Sequence, residues 1–358
     1  MRVGIITFHA SYNFGSALQA YALLTCIRQL GHDATIVDYH SRDQNQYKLI
    51  SPLHPRHTFR VLNNYALLRK RRSSFREFTA EHLSLTKEHY SYKKEDKLAS
   101  LQRDFDCFVC GSDQIWNLNC TQGVVEPFFL SFAGNRRRVA YAPSLAHTKF
   151  EPEFFDKQKV SELLSDFDYI SVRESETLSL FQPLVDKSID VVLDPTLLLS
   201  SEDYRNLISA SPIEGDYIFV YLLRSCDELI DSAVTMAAKA GMKVAYVSER
   251  TLPIPNGINL FGIGPSEFLS AIVNANVVLA NSFHAAVFSV LFHKPFRIFA
   301  TDESGARMRC LLGDLGIGER CVSAADSSPI SNVDWDEVER KLKELRLHSL
   351  EFLRKALR

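Results

Sequence analysis

The stretch Asn276-Val-Val-Leu-Ala-Asn281-Ser282-Phe283-His284-Ala-Ala-Val-Phe-Ser-Val-Leu291 narrows the fold more than any other part of the chain. Val277 to Ala280 has the pattern of a buried strand, two polar residues follow, and an apolar helix opens at once. Strand, polar turn, helix is the geometry that presents backbone N–H groups and the positive end of a dipole to an anion. Asn281 or Ser282 caps the helix, which puts His284 in its first turn at the mouth of a sheet. An imidazole there meets both the dipole and any bound anion, a setting for proton transfer. The plainer reading is a core or capping histidine at an ordinary βα turn.

The same succession recurs along the chain. In the second half, strands are expected at Tyr217–Leu222, Lys243–Val247, Val277–Ala280 and Phe296–Ile298. Helices are expected at Glu228–Lys239, Pro265–Asn274, His284–Phe292 and Arg307–Leu315. The first forty residues read as a βαβ unit, with strands at Val3–Thr7 and Ala34–Tyr39, a helix over Ser16–Leu30 and Gly31 as its stop. Further strands fall at Phe105–Cys110, Val139–Ala142, Tyr169–Val172 and Ile189–Leu193, with a helix between Glu153 and Ser165. Residues 41–100 are polar and irregular apart from one basic helix, and read as an insertion. Trp335 to Arg358 forms a charged helix whose stripe Val338, Leu342, Leu345 and Phe352 is broken only by Ser349. A chain of 358 residues exceeds one ordinary core. The expectation is α/β: an N-terminal domain over 1–194, a C-terminal domain over 195–334, and an active cleft between them.

Charge and cysteine usage exclude several classes. A formal charge of −2 gives no argument for a nucleic-acid partner. No apolar run reaches the ~18 residues of a membrane span, and the N-terminus enters a strand at once, without a signal-peptide profile. Seven cysteines without framework spacing fit a reducing cytoplasm. Cys107 and Cys110 fall on one strand and point to opposite faces, so they read as buried thiols. The basic segment 56–76 (Arg56, Arg60, Arg69, Lys70, Arg71, Arg72, Arg76) interleaves with Val61, Tyr65, Leu68, Phe75 and Phe78. It reads as a solvated helix face or, alternatively, as a peripheral contact with an anionic membrane.

Four further groups are candidates for a site. The loop His9-Ala-Ser-Tyr-Asn13-Phe-Gly15-Ser16 follows the first strand and opens a helix carrying Gln19, so His9, Asn13, Gly15 and Ser16 are placed to meet a phosphate or a sugar. It lacks a dinucleotide fingerprint. Gly111-Ser112 suits a sharp turn after a strand, and Asp113 then serves either as a base toward a sugar hydroxyl or as a helix N-cap. Arg173 ends a strand and grips either an anionic ligand or a neighbouring carboxylate. Arg307 and Arg309 open a late helix. No zinc-site, Walker or Ser/His/Asp spacing occurs, and His54 and His57 have no evident third ligand.

Taken in order, these pieces resemble the polysaccharide pyruvyl transferase family. They are Gly4-Ile-Ile-Thr, Asn13-Phe-Gly-Ser-Ala-Leu-Gln-Ala-Tyr-Ala-Leu23, Gly111-Ser-Asp-Gln-Ile-Trp-Asn117, Ser171-Val-Arg-Glu174, Asp194-Pro-Thr, Gly264-Pro-Ser-Glu-Phe268, and Asn281-Ser-Phe-His284 with Lys294-Pro-Phe. The resemblance implies two Rossmann-like domains of the B-type glycosyltransferase architecture, with the helix 335–358 crossing back to the first. It implies transfer of the pyruvyl group of phosphoenolpyruvate to a nucleotide- or lipid-linked sugar, as a ketal with release of phosphate, in surface polysaccharide assembly. No cofactor or metal is implied. By the same resemblance His284 binds the donor or moves a proton, Arg173 holds the donor, and Asp113 serves the acceptor hydroxyl. Better-understood members resemble Arg-Leu-His at the late turn. Here Ser282 stands in the arginine's place, and Arg307 or Arg297 is expected to supply the charge. Two other readings remain open: a B-type glycosyltransferase using a nucleotide sugar, and a non-catalytic carbohydrate-binding relative.

Overall fold

Short buried strands alternating with helices favour parallel pairing, with the helices covering both faces of the sheet. The computed structural model, which describes residues 1–42, 65–145, 154–300 and 305–358, has that organisation. The chain runs β1 (Arg2–Ile6), α1 (Phe14–Gln29), β2 (Asp33–Ile36), β3 (Tyr39–His40), α2 (Tyr65–His82), β4 (Tyr90–Ser91), β5 (Cys107–Cys110), α3 (Leu118–Thr121), β6 (Arg137–Ala140), α4 (Lys157–Ser165), β7 (Tyr169–Val172), α5 (Ser175–Phe181) and β8 (Ile189–Val191). It continues as β9 (Tyr217–Tyr221), α6 (Asp227–Ala240), β10 (Lys243–Val247), β11 (Ile258–Asn259), α7 (Pro265–Val273), β12 (Val277–Ala280), α8 (Phe283–Leu291), β13 (Phe296–Phe299), α9 (Ala306–Asp314), β14 (Cys321–Val322) and α10 (Trp335–Ala356).

Two six-stranded sheets result, ordered β2-β1-β5-β6-β7-β8 and β11-β10-β9-β12-β13-β14, and every pairing is parallel. In each sheet the order reverses beside the first strand, between β1 and β5 and between β9 and β12. Open α/β sheets take ligands outside the carboxyl ends of their strands at such a reversal. The loops carrying Asn13 and Gly111–Asp113 in the first half, and the turn Asn281–His284 in the second, fall there. Cys107 and Cys110 lie in β5, fully buried, and burial pushes the Cys107 thiol up to about 12.

The chain divides into two compact units. The first holds the described residues of Met1–Tyr47, Thr79–Leu199 and Lys343–Arg358, the second those of Lys48–Phe78 and Ser200–Leu342. The first unit runs to Leu199, and the described residues of the segment 41–100 are shared between the two units. The described residues of α2 up to Phe78 group with the second unit. On that helix Arg71 is buried, donates from Nη1 to the Phe261 carbonyl (3.1 Å) and lies over the rings of Phe75 and Phe261.

That packing also reshapes the membrane expectation. Phe75 and Phe78 are buried in protein, whereas Tyr65, Arg69, Lys70 and Arg76 of the same helix are exposed. Arg56, Arg60, Val61, His54 and His57 lie outside the described residues. Among the described residues no helix is long and apolar enough to cross a membrane.

The core of the first unit centres on Trp116, fully buried, stacked on Phe129 at 5.0 Å and flanked by Phe167 and Phe181. The C-terminal part of α10 packs on this unit: Arg346 Nε donates to the Leu197 carbonyl (2.7 Å), and the Phe352 ring meets Tyr141 and Tyr169. Ser349, the break in the apolar stripe, has a definite task. Its hydroxyl accepts from the Leu193 N–H (3.0 Å) just past β8 and donates to the Leu345 carbonyl (2.8 Å). In the second unit Trp335, at the start of α10, stacks on His293 at 4.8 Å.

Candidate functional site

At the reversal of the first sheet, the loops after β1 and β5 meet through side chains. Asn13 caps α1, its Oδ1 accepting from the N–H groups of Gly15 (2.9 Å) and Ser16 (3.3 Å). The Ser16 hydroxyl donates to Asp113 Oδ2 at 2.5 Å. Asp113 is buried with φ +69°, and its carbonyl accepts from the Ser144 N–H (2.9 Å). It is no helix cap, since Asn117 caps the following α3. Gly111 has φ +112°, and a Cβ there would lie 2.0 Å from the Tyr141 carbonyl oxygen, so only glycine lets the loops approach this closely.

Ser112 is held from four sides. Its N–H donates to Gln19 Oε1 (3.1 Å), its hydroxyl to the Ala142 carbonyl (2.7 Å), its carbonyl accepts from the Thr7 hydroxyl (3.1 Å), and its Oγ accepts from Arg173 Nη2 (2.5 Å). Gln19 in turn donates to the Thr7 hydroxyl and to the Phe8 and Ser16 carbonyls. The result is a connected network beside Asp113.

Of the two partners the sequence leaves open for Arg173, the structure shows the carboxylate: its guanidinium pairs with Asp194 at 2.8 Å, with side chains 3% and 0% exposed. A buried charge of this kind is retained by its carboxylate partner, so the Ser171-Val-Arg-Glu174 and Asp194-Pro-Thr motifs work on each other. Glu174 does likewise, accepting from the Ser144 hydroxyl, the Leu145 N–H and the Thr177 hydroxyl. In the loop after β1, the N–H groups of Gly15 and Ser16 are engaged by Asn13. His9 leaves the group altogether and faces Asp38 through Nε2 at 3.0 Å. Burial alone would raise the Asp38 carboxyl, but hydrogen bonds from His40 and His9 outweigh it and hold it far below the usual carboxylate range.

The reversal of the second sheet is built differently. Asn281 spans it: Oδ1 accepts from the Leu223 N–H (2.8 Å) and Nδ2 donates to the Arg224 carbonyl (2.9 Å), tying the turn after β12 to the loop after β9. Its amide is therefore spent on the scaffold. Ser282 is the N-cap of α8, with no capping bond from its side chain. Phe283 and His284 follow in the first turn, their rings in edge contact at 5.4 Å. Arg307, near the start of α9, places its guanidinium 5.6 Å from the Phe283 ring centre.

Of the two arginines expected to replace the family's missing charge, only Arg307 reaches this turn. Arg297 is committed to the segment after β14, pairing with Asp326 Oδ2 (3.1 Å) and donating to the Asp326 carbonyl. Arg309 is exposed.

Sequence reasoning missed Asp194 as the partner of Arg173, and it missed Asp38, His40 and His89 entirely. His40 stands two residues after Asp38, whereas His89 comes from the segment that β3–β4 pairing brings alongside, a contact that no local spacing announces.

Comparison with known structures bears on the fold. A Listeria monocytogenes protein described as a putative UDP-N-acetylglucosamine 2-epimerase superposes with a TM-score of 0.51 at 10% identity, covering 99% of this chain and 90% of that one. The Staphylococcus aureus MnaA–UDP co-structure gives 0.52 at 12% identity, covering 99% and 91%. HepE of Anabaena, in complex with UDP and glucose, gives 0.51 at 10% identity, covering 99% of both chains. These likenesses establish the B-type glycosyltransferase architecture of two Rossmann-like domains. No curated protein matches the chain. The profile of one family does, over residues 13–303, which takes in both reversals with every motif quoted above from Asn13 to Lys294-Pro-Phe. By that match this chain belongs to the polysaccharide pyruvyl transferase family, a family of transferases.

Proposed function

We propose that this chain transfers the pyruvyl group of phosphoenolpyruvate to the hydroxyls of a nucleotide- or lipid-linked sugar, forming a ketal and releasing phosphate, in the cytoplasmic assembly of a surface polysaccharide. The observation that carries the reading is the turn at Ser282–His284, where an uncapped helix N-terminus, an imidazole and the Arg307 guanidinium are gathered. A phosphorylated, carboxylated donor is a dense anion and calls for such a set.

The chemistry distributes over named groups. A proton adds to the methylene carbon of the donor, and His284 is the group assigned to supply it. C2 then carries oxocarbenium character. A sugar hydroxyl attacks C2, giving its proton to the Asp113 carboxylate, which Ser16 and the Ser112 network hold in place. A second hydroxyl closes the ketal as the C2–O bond to phosphate breaks. Of the two hydroxyl protons, one balances that taken up at carbon and the other leaves with phosphate. Arg173 acts through Ser112 and Asp194 as a positioning residue. Contact with a membrane surface through the exposed cations of α2 would place the enzyme beside a lipid-linked acceptor.

The test is incubation of purified protein with phosphoenolpyruvate and a panel of nucleotide- and lipid-linked sugars. Phosphate release with a pyruvyl-sized mass gain on one acceptor is expected. No release across the panel from folded protein overturns the reading. The second reading, a B-type glycosyltransferase, is favoured by the UDP complexes among the structural neighbours. Calorimetry separates the two, since that reading requires binding of a nucleoside diphosphate and none of phosphoenolpyruvate.

A further inference from the structure

Three side chains at the carboxyl end of the first sheet converge on one point. His9 Nε2 lies 3.0 Å and His40 Nε2 3.1 Å from the same oxygen, Asp38 Oδ1. The donor atoms of all three lie within 4.8 Å of one another. His89 approaches the other carboxylate oxygen, its Nδ1 3.1 Å from Oδ2. All four residues belong to the first unit, and no other cluster of this kind occurs among the described residues.

The ring orientation of His9 makes the arrangement informative. Its Nδ1 lies 3.3 Å from the Thr7 carbonyl oxygen, which leaves Nε2 as the nitrogen turned toward Asp38. Two imidazole nitrogens and a carboxylate oxygen gathered this closely form a ligand set that one cation can share. We propose that His9 Nε2, His40 Nε2 and Asp38 Oδ1 bind a divalent transition metal ion of the zinc class, with His89 supporting the carboxylate from its second oxygen.

The geometry agrees with the chemistry of such sites. Ligand atoms around a tetrahedral zinc, at bonds of about 2.0–2.1 Å, are separated by about 3.3 Å, close to the 3.0 and 3.1 Å from Asp38 Oδ1 to the two histidine nitrogens. A donor set of imidazoles with one carboxylate suits zinc and excludes a calcium- or magnesium-type oxygen cage. The Thr7 carbonyl holding the far nitrogen of His9 is the outer-shell contact that orients metal-bound histidines. Access is open on one side only: the His9 side chain is 1% exposed, whereas those of His40 and His89 are 41% and 54% exposed. An ion there would pin the loop between β1 and α1, which carries Asn13 and leads to Ser16, against the β3–β4 pair.

The experiment uses full-length protein without a polyhistidine tag, stripped with a chelator and titrated with zinc chloride by calorimetry. Cobalt chloride is followed in parallel by its visible absorption. Binding of one equivalent is expected, with zinc affinity weakened about tenfold or more in His40→Ala and in Asp38→Asn, both checked for native circular dichroism. His293→Ala, in the second unit, serves as the control and should bind as the unaltered protein does. Nitrogen-15 spectra of histidine-labelled protein should show the His9 and His40 Nε2 signals moving on zinc addition. The proposal is overturned by absence of zinc binding, by affinity that His40→Ala leaves unchanged, or by spectra in which His9 is an imidazolium that zinc does not displace.

Discussion

The two sheet reversals share a topology and differ in how they spend their polar groups. At the first, between β1 and β5, the helix N-terminus is capped by its own asparagine, and Ser112, Gln19, Thr7, Arg173 and Asp194 close into one network around Asp113. At the second, between β9 and β12, Asn281 braces the turn from behind, and the helix beginning at Phe283 has no side-chain cap. A connected network fixes a carboxylate; an uncapped N-terminus beside an arginine favours an anion. In the proposed function the first would serve the acceptor and the second the donor.

Kinetics of the proposed transfer provide the largest test. Asp113→Asn should lower the rate of phosphate release by about 10²–10⁴-fold while leaving phosphoenolpyruvate affinity unchanged in calorimetry. If the variant instead loses donor binding, the division of labour between the reversals fails. His284→Gln should lower the rate comparably.

Arg173→Ala comes next, and its expected effect is on folding. Removing one partner of a buried pair costs about 3–5 kcal/mol, read as a fall in Tm, because Asp194 is left charged and enclosed. An unaltered Tm with weakened donor binding would restore Arg173 to the donor site.

Arg307→Ala should weaken donor binding by about tenfold, in line with the ~1.5–3 kcal/mol of a hydrogen bond to an ion. Arg297→Ala should lower Tm through Asp326 and Ser328 and leave donor affinity intact. Equal effects of the two arginines on donor affinity would erase the distinction drawn between them.

The smallest test compares the two helix starts directly. Asn13→Ala should cost about 1 kcal/mol of unfolding free energy. Ser282→Ala, with no capping bond to lose, should stay within about 0.5 kcal/mol.

Much of this fold was legible because its strands are short apolar runs bounded by turn residues. Tyr169–Val172, Lys243–Val247 and Val277–Ala280 coincide with the expected strands, and the expected helices at Pro265 and Trp335 begin on those residues. The two-residue strands β4, β11 and β14 were not legible, since a segment that short has no period to read. Within the sites, local geometry was readable: Gly111 as a tight turn, Asn13 and Ser16 at a helix start, His284 in a first turn. Partnerships across the sheet were not. Arg173 carries no mark that says whether its carboxylate is a substrate or Asp194, and His9 carries none that points to Asp38. Those choices are made by strand order, which places distant segments side by side. Ser349 belongs to the same class, a polar residue in an apolar stripe whose reason is the Leu193 N–H.

The placement of the two tryptophans gives each unit its own optical reporter. Trp116 is sealed in the aromatic core of the first unit, and Trp335 is stacked on an imidazole in the second. A Trp335→Phe variant reports only the environment of the first core, and a Trp116→Phe variant only the second. Comparing their emission through a denaturant series would tell whether the units melt together or in sequence. The same pair of variants, mixed with phosphoenolpyruvate or with an acceptor sugar, would give a fluorescence signal for each half of the enzyme separately.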